Sequence, residues 1–145
     1  MATITKHQGK ESDMILVDTS VLIDYFKGNK NEKTELLERI IADKIPFGIN
    51  KFIYQELLQG ARDNREFELL KAYLSTQKFY DLKDSKSSYE NAARIYLNCK
   101  KKGITIRSTI DTIIGQCAIE NKVKLLHNDK DFTLMATVIK ELIEY

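Results

Sequence analysis

A chain of 145 residues with 23 basic and 21 acidic side chains carries a formal charge of only +2, which neither demands nor excludes a polyanionic partner. That length fits one domain able to bury roughly 68–70% of the surface its unfolded chain would expose, without covalent staples. The only two cysteines, Cys99 and Cys117, form no CxxC pattern; they exclude a disulfide framework and a thiolate zinc site and fit a reducing cytoplasm, while no apolar run approaches the roughly 20 residues that span a bilayer, so no membrane partner is expected.

Residues 1–13 are polar and non-periodic and are expected to form a flexible leader, leaving 14–145 as one domain. Met14-Ile15-Leu16-Val17-Asp18-Thr19-Ser20 reads as a buried strand turning at Asp18 into a helix from Ser20 to Lys27, with Gly28 as its stop. A carboxylate at the carboxyl end of an interior strand is costly unless something pairs with it. The crevice beyond such strand ends is also where open α/β sheets bind ligands. The plainer reading is that Asp18, Thr19 or Ser20 caps the helix.

Leu36, Leu37, Ile40 and Ile41 place a second helix over residues 34–43, which Pro46 ends, and Ile45-Pro46-Phe47-Gly48-Ile49 reads as a short strand with the proline in its first residues or on an edge. Asn50 can cap a third helix carrying Phe52, Ile53, Leu57, Leu58 and Ala61, with Glu56 beside the apolar face rather than opposite it. A helix over 66–76 is expected to turn Phe67, Leu70 and Leu74 inward, and residues 78–82 alternate as a strand does. Ser87-Ser88-Tyr89-Glu90 matches a capping box opening a helix that stops at Gly103, with Tyr89 and Tyr96 either in the core or available to stack on RNA bases.

Ser108-Thr109-Ile110-Asp111 is a second capping box, so Asp111 is expected to bond back to the cap, face a ligand, or do both. Residues 123–127 form an apolar strand, and Asp129 and Asp131 fall in the turn after it, much as Asp18 follows the first strand. A short helix over 133–139 and a terminal strand over 142–145 close the chain. The alternation predicts an α/β fold with a mainly parallel sheet.

Asp18, Glu56, Asp111 and Asp129 therefore sit at element ends or inward faces of four separate segments. If one sheet gathers them, either some protonate or a cation enters. An all-oxygen set selects a hard ion such as Mg²⁺ or Mn²⁺ over zinc; His127, a lone histidine at a strand end, is left out of that set. Such ions, held by carboxylates, bind substrate phosphates and support phosphodiester hydrolysis. Lys100, Lys101, Lys102 and Arg107 could then follow a nucleic-acid backbone, although lysines at a helix C-terminus are also ordinary solvated charges.

Four pieces, Val17-Asp18-Thr19-Ser20-Val21-Leu22-Ile23-Asp24, Gln55-Glu56-Leu57-Leu58-Gln59-Gly60, Ile110-Asp111-Thr112-Ile113-Ile114 and Leu125-Leu126-His127-Asn128-Asp129-Lys130-Asp131-Phe132, occur in the order found in PIN-domain ribonucleases. The chain resembles most closely the VapC-type toxins of toxin–antitoxin pairs. The resemblance implies a PIN-like α/β/α sandwich with a five-stranded parallel sheet and Mg²⁺- or Mn²⁺-dependent cleavage of structured RNA, commonly tRNA or rRNA. It also implies a homodimer and a cognate antitoxin protein as partners. Asp18, Glu56, Asp111 and Asp129 match the family's acidic quartet by position, Ser20 matches the hydroxyl that helps hold the site, and Asp131 matches a further acidic neighbour. Asn50 and His127 depart from the family pattern, where Ser or Thr and Thr are usual, and a change in the hydrogen bonding behind metal ligands can alter affinity by about 10–100-fold. The rival reading is a non-catalytic metal- or RNA-binding module of the same fold. A phosphate-accepting receiver and an Asp-x-Asp phosphatase are both disfavoured, the latter because Ser20 takes the second acidic position.

Overall fold

The structure, a computed structural model, describes residues 14–145; the expected leader lies outside them. The first strand, β1 (Ile15–Val17), is wholly buried and runs through Asp18 into α1 (Thr19–Phe26). There follow α2 (Glu32–Ala42), β2 (Phe47–Ile49), α3 (Lys51–Gln59), α4 (Asn64–Leu74), β3 (Lys78–Phe79), α5 (Lys86–Lys101), α6 (Thr109–Asn121), β4 (Lys124–Leu126) and α7 (Lys130–Val138). The four strands are all parallel in the order β3-β2-β1-β4. This is the α/β arrangement expected when strands and helices alternate.

A fifth strand position exists as a single parallel bridge, Leu125 to Glu144, held by Leu125 N to Ile143 O and Tyr145 N to Leu125 O, both 2.9 Å. The terminal strand expected over 142–145 is thus reduced to one rung. Ile15, Leu16, Val17, Ile49, Leu125 and Leu126 form the sheet's buried centre, covered by Leu37, Ile53, Leu74, Ile114, Phe132 and Met135 from the helices.

The registers decide what shares the carboxyl edge. Leu16 pairs with Gly48, Val17 with Leu126, and Ile49 with Phe79. Carried to the strand ends, they set Tyr80, Asn50, Asp18 and His127 in one row; Tyr80 N to Ile49 O at 2.8 Å and Asp18 N to Leu126 O at 2.9 Å continue the ladder there. Gly48 permits this close packing: a Cβ on it would stand 2.5 Å from the Lys78 carbonyl oxygen and 2.7 Å from the Tyr80 ring.

Several local expectations are corrected. The second helix begins at Glu32 because Asn31 caps it, accepting from the Lys33 and Thr34 amides at 3.0 Å while Thr34 Oγ1 accepts the Asn31 amide. Neither serine capping box forms. Ser85 turns the chain with φ +49°, and Ser88 is buried, accepting from the Asp84 amide at 2.9 Å and donating to Glu120 at 3.0 Å. The core face of α5 is therefore Ser88, Ala92, Ile95 and Cys99. That rotation leaves Tyr89 and Tyr96 outside the core, 52% and 39% exposed. Phe67 is likewise exposed, whereas Leu74 is inside. The last helix starts at Lys130 rather than near 133, since Asp129 caps it.

Candidate active site

Asp18 is the N-cap of α1 and is almost wholly buried. Ser20 donates to its Oδ2 twice, from N at 3.0 Å and from Oγ at 2.7 Å. Ser20 Oγ also accepts the Asn128 amide at 2.9 Å, tying the loop after β4 to the turn after β1. Capping and site placement are thus compatible: the cap fixes the carboxylate at the strand end. Burial raises the Asp18 pKa despite the Ser20 bonds, because the charged form is the one that loses water.

Asp129 caps α7, its Oδ1 accepting the Asp131 amide at 2.9 Å. Its own amide donates to His127 Nδ1 at 3.1 Å, so the His127 proton sits on Nε2 and points at Glu144 Oε2, 2.7 Å away. Thr133 Oγ1 donates to the same Glu144 oxygen at 3.0 Å. The C-terminal residues thereby brace the loop carrying Asp129, a role the isolated His127 and Glu144 gave no sequence signal for.

Asp131 is buried, and Arg107 Nε donates to its Oδ2 at 3.0 Å, with the Arg107 amide at 3.4 Å. Burial alone would raise the Asp131 pKa, but these bonds and the guanidinium charge outweigh it and hold it below the ordinary carboxylate range. The guanidinium also stands 3.9 Å from Asp129 Oδ1. Of the basic residues singled out from sequence, Arg107 joins the acids, whereas Lys100, Lys101 and Lys102 are exposed around the C-terminal end of α5.

Asp111 lies in the first turn of α6, where Ser108 makes no side-chain cap bond. Its pKa is pushed up to about 7, first by burial, then by Asp129, Asp18, Asp131 and Glu56 in that order. Glu56 stands at the exposed rim of α3, and Thr19 Oγ1 donates to it at 3.2 Å. Partial burial raises its pKa, Thr19 opposes the rise, and Asp18 adds to it. Thr19 was not anticipated, although it directly follows Asp18.

Asp111 thus lies within reach of the other four carboxylates, and Glu56 within reach of Asp18. Among the described residues, no three His, Cys, Asp or Glu side chains are close enough together to enclose an ion. Arg107 stands between two of them, 3.0 Å from Asp131 Oδ2 and 3.9 Å from Asp129 Oδ1. The donor chemistry fits a hard divalent cation: oxygen ligands only, in negative excess.

A buried parallel sheet whose carboxyl edge carries acids from β1, α3, α6 and the β4 loop defines the class. A family model described as the PIN domain matches residues 15–138, and the chain belongs to that family. It is 27% identical over 126 residues to a VapC ribonuclease of Mycobacterium bovis and, with the same figures, to ribonuclease VapC11 of Mycobacterium tuberculosis; the match covers 86% of this chain and 93% of each relative. Its fold is similar to VapBC-1 of nontypeable Haemophilus influenzae (TM-score 0.67, 19% identity, 91% of this chain and 96% of that one). It is similar too to VapBC2 of Rickettsia felis bound to a promoter DNA fragment (TM-score 0.66, 20% identity, 91% and 97%).

Proposed function

We propose that this protein is a Mg²⁺- or Mn²⁺-dependent endoribonuclease, the toxin of a toxin–antitoxin pair, which hydrolyses phosphodiester bonds in structured RNA such as tRNA or rRNA. The observation that carries the reading is the crowding on Asp111, where burial and four neighbouring carboxylates hold the pKa near 7. A pocket that cannot keep its acids ionised unaided is one a divalent cation stabilises. Membership of the PIN family and the naming of its relatives as VapC ribonucleases favour RNA as the substrate.

In this reading Asp18, Asp111 and Asp129 hold the ion, and Glu56, steadied by Thr19, orients water at the rim. When bound, such an ion polarises a phosphoryl oxygen and lowers the pKa of coordinated water. Ser20 keeps Asp18 turned toward the site, and Asp131 keeps the Asp129 carboxylate aligned through its amide. Arg107, with Lys100, Lys101 and Lys102, offsets the repulsion between the acids and an RNA backbone. An antitoxin and a second copy of the chain are the partners, and the site of action is the cytoplasm.

Incubating the purified protein with total RNA, in Mn²⁺ and in EDTA, tests the reading. New internal RNA ends in Mn²⁺ that are absent in EDTA are expected. RNA binding without metal-dependent cleavage would instead identify a non-catalytic module.

A further inference from the structure

Asp129 is held from two directions, and one of them starts in residues 143–145. We infer that Glu144 is a positioning residue for Asp129, acting through the His127 ring; this rests on the reading of Asp129 as a metal ligand given above.

Backbone pairing delivers the Glu144 carboxylate. Leu125 N donates to Ile143 O and Tyr145 N donates to Leu125 O, both at 2.9 Å, so Glu144 is fixed beside β4 by a parallel rung. From there its Oε2 accepts from His127 Nε2 at 2.7 Å and from Thr133 Oγ1 at 3.0 Å. A single oxygen thus clasps both ends of the loop that carries Asp129, with His127 before it and the first turn of α7 after it.

The ring transmits that hold because its two nitrogens are spent in opposite senses. Nδ1 accepts the Asp129 amide at 3.1 Å, which requires the lone pair there and the proton on Nε2. A carboxylate facing Nε2 selects that tautomer. In the other one, Nε2 would turn a lone pair toward an acceptor, and the Nδ1 proton would oppose the Asp129 amide proton. His127 is 3% exposed and lies against Phe132, with ring centroids 5.1 Å apart, so water does not readily replace Glu144 as the partner. Without Glu144 the Nε2 proton is a buried donor lacking an acceptor. The ring is then free to change tautomer, and the Asp129 amide loses the acceptor that fixes the backbone from which its carboxylate projects.

Three substitutions separate positioning from charge and from stability. Glu144→Ala removes the acceptor, whereas Glu144→Gln removes the charge and keeps one carbonyl oxygen, which is all that His127 and Thr133 use. Leu74→Ala is the stability control, because Leu74 is buried at the end of α4 that leads into β3, at the opposite edge of the sheet from the acids. Mn²⁺ affinity is read by calorimetry, and exchange of the Asp129 amide proton with deuterium is read by NMR in metal-free protein. Glu144→Ala is expected to weaken Mn²⁺ binding roughly 2- to 10-fold, the net worth of one hydrogen bond, and to speed exchange at Asp129. Glu144→Gln should stay close to wild type in both. Leu74→Ala should lower the melting temperature with no change in affinity.

Wild-type affinity and exchange in Glu144→Ala, an equal loss of affinity in Glu144→Gln, or an equal loss in Leu74→Ala overturns the positioning role, the second by pointing to charge and the third to stability. A wild type that binds no Mn²⁺ overturns it together with the metal site. RNA cleavage by the wild type in Mn²⁺, with full affinity in Glu144→Ala, sinks the positioning role alone. Mn²⁺ binding that follows the expected pattern without any RNA cleavage sinks the ribonuclease reading and leaves Glu144 in its role.

Discussion

The carboxyl edge of the sheet has two halves of opposite character. Over β1 and β4 it is charged and heavily cross-braced: Ser20 joins Asp18 to Asn128, Asp131 joins Asp129 to Arg107, and His127 joins Asp129 to Glu144. Over β2 and β3 it is neutral, with Asn50 Nδ2 and the Tyr80 hydroxyl buried and unpaired. The first half holds negative charge rigidly where water is scarce, which favours a cation. The second leaves hydrogen-bonding capacity unspent but sealed from solvent, a local cost to stability rather than an opening for a charged ligand. One row of a single sheet thus presents two chemistries side by side.

Breaking the charged half has the largest expected effect. Asp18→Asn keeps a good cap residue and removes only the charge. RNA cleavage should fall by more than the roughly 10–100-fold that losing an outer partner costs, measured as the initial rate of new RNA ends in Mn²⁺. The melting temperature of the metal-free variant at neutral pH should rise. A carboxyl whose folded pKa lies above its unfolded value destabilises the fold once pH exceeds the unfolded value, and Asp18 is such a group. Undiminished cleavage would remove Asp18 from the site.

Much of this division was legible in the chain. The apolar run Ile15-Leu16-Val17 ending in Asp18, and its echo Leu125-Leu126 followed by Asp129, gave strand, switch and acid together, because a buried strand and a charge at its end are both local signals. The departures were equally physical. Serine capping boxes at Ser87 and Ser108 failed since Ser88 was drawn into the Glu120 network and Ser108 forms no cap bond. Tyr89 and Tyr96 have helical spacing, but spacing does not say which of two adjacent stripes faces the core. The pairing of Arg107 with Asp131 and of His127 with Glu144 joins residues 24 and 17 apart, and only the tertiary fold reveals such contacts.

Arg107→Gln probes the bracing rather than the ligands. Without the guanidinium, Asp131 loses its 3.0 Å partner and Asp129 the positive charge 3.9 Å from its Oδ1, so the pair is less firmly oriented. Mn²⁺ affinity, measured by calorimetry, is expected to weaken by about 10–100-fold. Tighter binding would mean that Arg107 competes with the ion instead of aligning its ligands. In the neutral half, Gly48→Ala would thrust a Cβ to 2.5 Å from the Lys78 carbonyl oxygen. Backbone cannot yield as a side-chain tip does, so a loss of about 1–3 kcal/mol is expected in chemical denaturation. The Tyr80 ring must shift with β3, so this change should disturb the neutral half while leaving the Mn²⁺ affinity of the charged half near wild type.

The subtlest separation of the two halves is a proton count. Asp111 titrates at about 7 in the metal-free fold against an ordinary 3.8. The folded state therefore holds this proton more firmly than the unfolded chain does, and the stability Asp111 contributes declines as pH climbs from about 4 to about 7. A cation that takes the carboxylate must expel that proton below pH 7 and has none to expel well above it. Calorimetry of Mn²⁺ binding in two buffers of different ionisation enthalpy should show close to one proton released near pH 6, with any contribution from Asp18 added to it, and a smaller release near pH 8. Apparent affinity should climb with pH up to neutrality and then level. An affinity independent of pH across that range would show that the ion does not engage Asp111, and would confine it to Asp18 and Asp129.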